Sequence, residues 1–107
     1  MTTFDKREEG FEKKFALDEE QRFKAVARRN RLLGLWAAEK LGISGDEAKT
    51  YAREVVAAEF ANGGDGGVIR KVLADLNDNG VAITETLIRA KMDELMAEAA
   101  AQVKAGM

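Results

Sequence analysis

The chemistry open to this chain is bounded first by the side chains it lacks. Among its 107 residues there is no histidine and no cysteine, and the single serine is Ser44. Nucleophilic catalysis needs a hydroxyl or thiol activated by a neighbouring base. Ser44 instead stands three residues before Glu47, in the spacing of a helix capping box. Carboxylates are plentiful, but pairs such as Glu19 with Glu20 and Asp93 with Glu94 fall on the polar faces of helical segments, where solvation accounts for them. Nothing around them in the sequence suggests the shifted pKa that acid–base work requires. The side-chain inventory points away from an enzyme.

Three stretches imitate binding motifs. Residues 62–67, NGGDGG, resemble a phosphate-cradling loop, but no Gly-Lys followed by Ser or Thr is present and no buried strand precedes them. Helix breaking explains the same letters. In residues 75–86, Asp75, Asn77, Asn79 and Gly80 match the first half of an EF-hand loop, yet the twelfth position, which should supply a bidentate Glu, is Thr86. A helix-ending turn with a Thr cap accounts for that run. Finally, residues 21–40 hold Arg22, Lys24, Arg28, Arg29, Arg31 and Lys40 against Glu39 alone. With no interleaved exposed aromatics and an acidic remainder, this band reads as a solvated helix back or a face for an acidic protein, not as a nucleic-acid surface.

These residues must be held by helices, because proline is absent and charged residues make up 34% of the chain. The spacing predicts a long helix from about Asp18 to Leu41, with Val26, Leu33, Trp36, Ala37 and Leu41 on the core face and Arg28, Arg29 and Arg31 largely away from it. Gly42 suits the left-handed position after its end. A second helix should start at Gly45 or Asp46 and bury Ala48, Tyr51, Ala52, Val55, Val56 and Phe60. A third, capped by Asp65, repeats Val68, Ile69, Val72, Leu73 and Leu76. A fourth, capped by Thr84, carries Ile88, Met92, Leu95, Met96, Ala99 and Val103. Short connections make this an all-α four-helix bundle over residues 19–107, preceded by an arm over residues 1–18. In the arm Phe4, Phe11 and Phe15 share one helical face, but three Phe cannot offset the entropy of ordering it, so it should be frayed or partly helical until it meets a partner. The competing reading is that the arm simply extends the first helix.

The length suits one hydrophobic core. The longest apolar run, Leu32 to Ala38, is far short of the roughly 20 residues of a membrane helix, and the N-terminus, with Asp5, Glu8 and Glu9 among its first residues, has no apolar signal-peptide region. With no cysteine, a cytoplasmic protein without direct membrane insertion is expected.

Four segments, MTTFDKREEGFEKKFALDEE, FKAVARRNRLLGLWAAEKLG, GDEAKTYAREVV and IRAKMDELMAEA, carry a resemblance over nearly the whole chain. In this order they are similar to the zeta subunit, the inhibitor protein of alphaproteobacterial F-type ATP synthase. The resemblance implies a four-helix bundle whose N-terminal arm inhibits ATP hydrolysis by F1-ATPase. The arm would enter the interface of a catalytic beta subunit with its neighbouring alpha subunit, near gamma, and block rotation in the hydrolytic direction. It implies association with F1 at the cytoplasmic face of the inner membrane and no cofactor. It also allows weak ATP or ADP binding, for which no residue motif assigns a site. On this reading Phe4, Phe11 and Phe15 anchor the arm, and Arg7, Glu8, Glu12 and Lys14 make its polar or ionic contacts, as suits insertion of a helix into a groove. The alternative is a small helical adaptor or a weak adenine-nucleotide-binding bundle that uses the basic band or the bundle groove. The chain departs from the family pattern at Leu87, where an acidic residue is expected and where the capping box from Thr84 is thereby broken.

Overall fold

A computed structural model describes residues 15–61 and 63–107. The first long helix, α1, spans Glu19–Leu41. Its start is set by Asp18, which accepts from the Gln21 amide at 2.7 Å while the Gln21 side chain accepts from the Asp18 amide at 3.2 Å. This reciprocal capping box satisfies donors that the first turn leaves unpaired. Glu19 and Glu20 in the first turn and Lys40 in the last complement the helix dipole. Gly42 closes the helix at φ +76°, and the Ile43 amide reaches back to the Ala38 carbonyl at 3.0 Å. That is the geometry for which glycine is favoured after a helix.

Three further helices follow: α2 over Gly45–Ala61, α3 over Asp65–Asp78 and α4 over Glu85–Lys104. Helix α1 is the central element. It packs most extensively on α2 and α4, while α3 closes the bundle against α2 with smaller contacts to α1 and α4. The all-α expectation holds, with four helices about one main core of Leu33, Ala37, Val55, Val68, Val72, Leu76 and Ile88, each fully buried. Among the described residues no helix is long and apolar enough to cross a membrane.

A smaller cluster lies where α1 begins. Leu17, Ala25, Met96 and Ala100 are buried together, and Phe15, Val26 and Val103 pack against them. Ala16, between Phe15 and Leu17, adopts φ +53°, a left-handed conformation that L-residues other than glycine seldom take. Phe15 is the last described residue before this break, so the helix of the bundle starts afresh at Glu19.

Several sequence expectations are corrected by packing. Arg29 is not on a charged back but is buried, whereas Arg31 is exposed and Arg28 is half-buried, its guanidinium donating to Gln102 and to the Met107 carbonyl. Trp36 is only half-buried at the edge of the core, where Lys40 and Lys91 lie 5.0 and 5.8 Å from the ring. Those ammonium groups gain from its π-face while their stems cover its rim. Phe60 is exposed, because α2 ends one residue later and α3 turns away from it. Asp65 does not cap α3. It is the first helical residue, Gly64 occupies the cap with no side-chain bond, and the Asp65 carboxylate turns to Arg29. Thr84 does cap α4, accepting from the Leu87 amide at 3.2 Å, and Leu87 itself is exposed.

Candidate functional site

A groove of about 510 Å³ opens between the N-terminal half of α1, the end of α2 and the glycine turn that starts α3. Phe23 and Phe60 form its apolar lips, 60% and 64% exposed, with ring centroids 5.9 Å apart at a tilt of 42°. Val26 and Val56 lie deeper, and Gly63, Gly64 and Gly66 make a wall almost without side chains. The turn is left-handed at Gly63 and Gly64, with φ of +86° and +82°. Only there does the NGGDGG run need its glycines for conformation; its role is to stop α2 and restart the chain as α3.

The groove floor is polar and tightly bonded. Arg29 Nη2 contacts Asp65 Oδ1 at 2.7 Å and Glu59 Oε1 at 3.3 Å. Arg29 Nε and Nη2 also donate to Asn30 Oδ1 at 3.1 and 2.9 Å, and Asn30 Nδ2 donates to Glu59 Oε1 at 2.7 Å. One guanidinium thus ties α1 to the end of α2 and the first residue of α3. The planar fork of arginine serves two carboxylates and an amide together, which a lysine ammonium would not reproduce. Burial pushes the Glu59 carboxyl above its ordinary value of 4.5; the hydrogen bond from Asn30 opposes this, the nearby Asp65 charge adds to it, and Arg29 opposes it.

A pH prediction follows from that direction. A carboxyl whose folded pKa is raised holds its proton in the folded state over a range where the unfolded chain has lost it, so this group's contribution to stability falls as pH rises above about 4.5. Glu59→Gln keeps an acceptor for Asn30 and removes the titration. Melting temperatures of the two proteins measured from pH 4 to 8 should therefore diverge in favour of the glutamine variant as pH rises. A constant offset across the range would refute this account of Glu59.

The sequence-predicted inhibitory residues divide at the edge of the description. Phe4, Arg7, Glu8, Phe11, Glu12 and Lys14 lie outside the described residues. Phe15 is described and half-buried, and it packs on the cluster at the foot of α1. The EF-hand imitation dissolves into local bonding. Asp75 accepts from the Tyr51 hydroxyl at 2.8 Å and from Lys71 at 3.1 Å, Asn77 accepts from the Ile83 amide, and Asn79 donates to the Asp75 carbonyl. Burial and the Asp75 contact hold the Tyr51 phenol protonated well above its usual range. Among the described residues no group of three or more carboxylates is placed to hold a metal ion.

The groove residues were legible in part. Val26, Leu33 and Ala37 mark a helical stripe whose step at 29–30 is filled by Arg29 and Asn30, and a polar pair in an apolar stripe signals a buried network. Likewise, Asp18 followed by Gln21 is a capping-box spacing that fixes where α1 begins. Phe23 and Phe60 gave no such signal, because exposure depends on where α3 turns.

No curated protein matches the chain. A protein whose structure was solved by solution NMR is 53% identical, with a TM-score of 0.68, over 79% of this chain and 96% of that one. The family model described as ATPase inhibitor subunit zeta matches residues 1–102, so it takes in both the four helices and the segment before them. The chain belongs to the ATPase inhibitor subunit zeta family, regulatory proteins that are not enzymes.

Proposed function

We propose that this protein inhibits ATP hydrolysis by F1-ATPase through its N-terminal segment. That segment enters the interface of a catalytic beta subunit with the adjacent alpha subunit, beside gamma, and opposes rotation in the hydrolytic direction. The observation that carries this reading is the family match beginning at residue 1 and running unbroken to residue 102. It is supported by the break at Ala16 and the fresh capping at Asp18, which separate the segment from α1. Phe4 and Phe11 supply apolar area, and Arg7, Glu8, Glu12 and Lys14 supply the charges that fix register in a helix-lined cleft. Phe15 stands at the root of the segment, on the bundle. The bundle, residues 19–107, holds the arm at the enzyme.

The test is steady-state hydrolysis by F1 from the same organism, titrated with the full chain and with a variant lacking residues 1–14. Cutting there spares Leu17, which is buried, and the Asp18 cap. The full chain should inhibit, and the shortened chain should keep its melting transition and lose inhibition. Phe11→Ala should raise the half-inhibitory concentration by about 30-fold, the effect of losing one interface anchor of about 2 kcal/mol. Undiminished inhibition by the shortened, folded chain would refute the arm as the inhibitory element.

A further inference from the structure

Phe23 and Phe60 stand 60% and 64% exposed and belong to neither core cluster, so the packing of the bundle does not account for two large apolar rings at its surface. We infer that the outer faces of this ring pair are a contact surface for F1-ATPase, pressed against an apolar strip of the enzyme at the mouth of the cleft that takes the N-terminal segment. The tilted contact of the two rings, 5.9 Å between centroids, closes the space between them and makes them one platform. Phe23 comes from the second turn of α1 and Phe60 from the last turn of α2, and Val26, Val56, Gly63 and Gly64 continue the surface. Exposed apolar side chains scattered singly need no explanation, but adjoining ones mark interaction sites.

The partner follows from position. Phe15 and Leu17 sit in the cluster at the foot of α1, and Val26 both packs on that cluster and lines the groove. Phe23 precedes Val26 by less than one turn of α1, about 4.5 Å along its axis. A protein that encloses the N-terminal segment as far as its root at Phe15 therefore reaches Phe23 as well. Membership of an ATPase inhibitor family makes that protein F1-ATPase. The placement rests on the inhibitory reading, whereas the contact itself can be measured without inhibition. Charge then says what kind of surface F1 presents there. The groove is lined by two cations, Arg22 and Arg29, and two carboxylates, Glu59 and Asp65, and Arg29 is bonded to both acids. So balanced a rim exerts no long-range pull on either sign of charge, and the contact lies in apolar area. It should slow dissociation while leaving association and its salt dependence alone.

F1 from the same organism tests this with the full chain and with Phe23→Ala, Phe60→Ala and the two combined. Both side chains are exposed, so the variants should keep their melting transitions. Progress curves of inhibition and recovery should give an unchanged association rate, with dissociation about tenfold faster for either single variant, equally at low and high salt. Photo-cross-linking needs no inhibition: p-benzoylphenylalanine replacing Phe23 or Phe60 should capture an F1 subunit. The same group replacing Leu87 should not, because Leu87 is exposed beside Trp36, thirteen residues or about 20 Å further along α1. Capture from positions 23 and 60 by a chain that does not inhibit would uphold the contact and sink the inhibitory reading. Inhibition with dissociation unchanged in the double variant, or with no capture from either position, would overturn the contact and leave that reading in place. Capture of a second copy of this chain in place of F1, or capture as strong from position 87, would also overturn the proposal.

Discussion

Gly34→Ala will destabilise the protein by about 2 kcal/mol, although alanine in an exposed helix would stabilise it by about 1 kcal/mol. A β-carbon built on Gly34 would sit 2.6 Å from the Ala52 α-carbon, 3.1 Å from its β-carbon and 3.3 Å from the Val55 β-carbon. The first of these is backbone, so no rotamer change relieves it. Helices α1 and α2 must separate along the most extensive contact in the fold, and the fully buried Leu33, Ala37 and Val55 around the crossing lose contacts together. For a domain of this size a loss of that order lowers the melting temperature by roughly 10 °C or more. Ala52→Gly in the same chain should restore only part of it, since the nearest atom is the α-carbon and remains. Urea melts of the unsubstituted chain and the two variants measure this; an unchanged or raised midpoint for Gly34→Ala would show that the two helices do not approach closely at Gly34.

Gly34 also shows where sequence reading stops. A glycine inside a helical pattern signals a cost without naming its purpose, and only the approach of α2 supplies it. The four helices themselves were legible because each is written locally: a cap at Asp18 or Thr84, glycine after Leu41, and apolar residues at helical spacing. Within those helices the innermost positions, such as Leu33, Val55, Val72, Ile88 and Met96, came out as periodicity predicts. The misses cluster at edges. Trp36 and Phe60 are large apolar residues on the inward stripe, yet Phe60 sits in the last turn of α2 and Trp36 lies at the edge of the core beside Lys40 and Lys91, so burial there depends on three-dimensional closure. Arg29 failed for another reason. Helical periodicity classifies residues by polarity, and a guanidinium matched by its neighbour Asn30 and by Glu59 and Asp65 from two other helices satisfies burial without being apolar. The candidate groove was legible only as separate letters: a glycine-rich turn, a basic band and two phenylalanines 37 positions apart, which the packing of α1 against α2 assembles.

Arg29→Met should have the largest effect of any single polar substitution in the bundle, about 3 kcal/mol or more. Methionine keeps most of the stem and removes the charge. Asn30 Oδ1 loses both donors from Arg29, and Glu59 and Asp65 both lose the guanidinium that bridges them. Removing one member of a buried ion pair typically costs 3–5 kcal/mol, because the remaining charge stays desolvated. The lower end applies here, since the Asp65 side chain is 38% exposed and water screens it. Arg29→Lys should fall between, as one ammonium cannot span the three acceptors. The deficit of Arg29→Met should also shrink as pH falls. Without the guanidinium the Glu59 carboxyl is pushed further up from its already raised position, and once protonated it no longer repels Asp65. Because Arg29 is the side chain that joins α1 to the first residue of α3, the damage should be local before it is global. Amide exchange at Gly64 to Val68 should quicken more than at Val72 or Leu76. Urea melts at pH 4.5 and 7.5 with exchange at those amides check both statements, and a deficit independent of pH, or exchange raised evenly along α3, would refute the role assigned to Arg29.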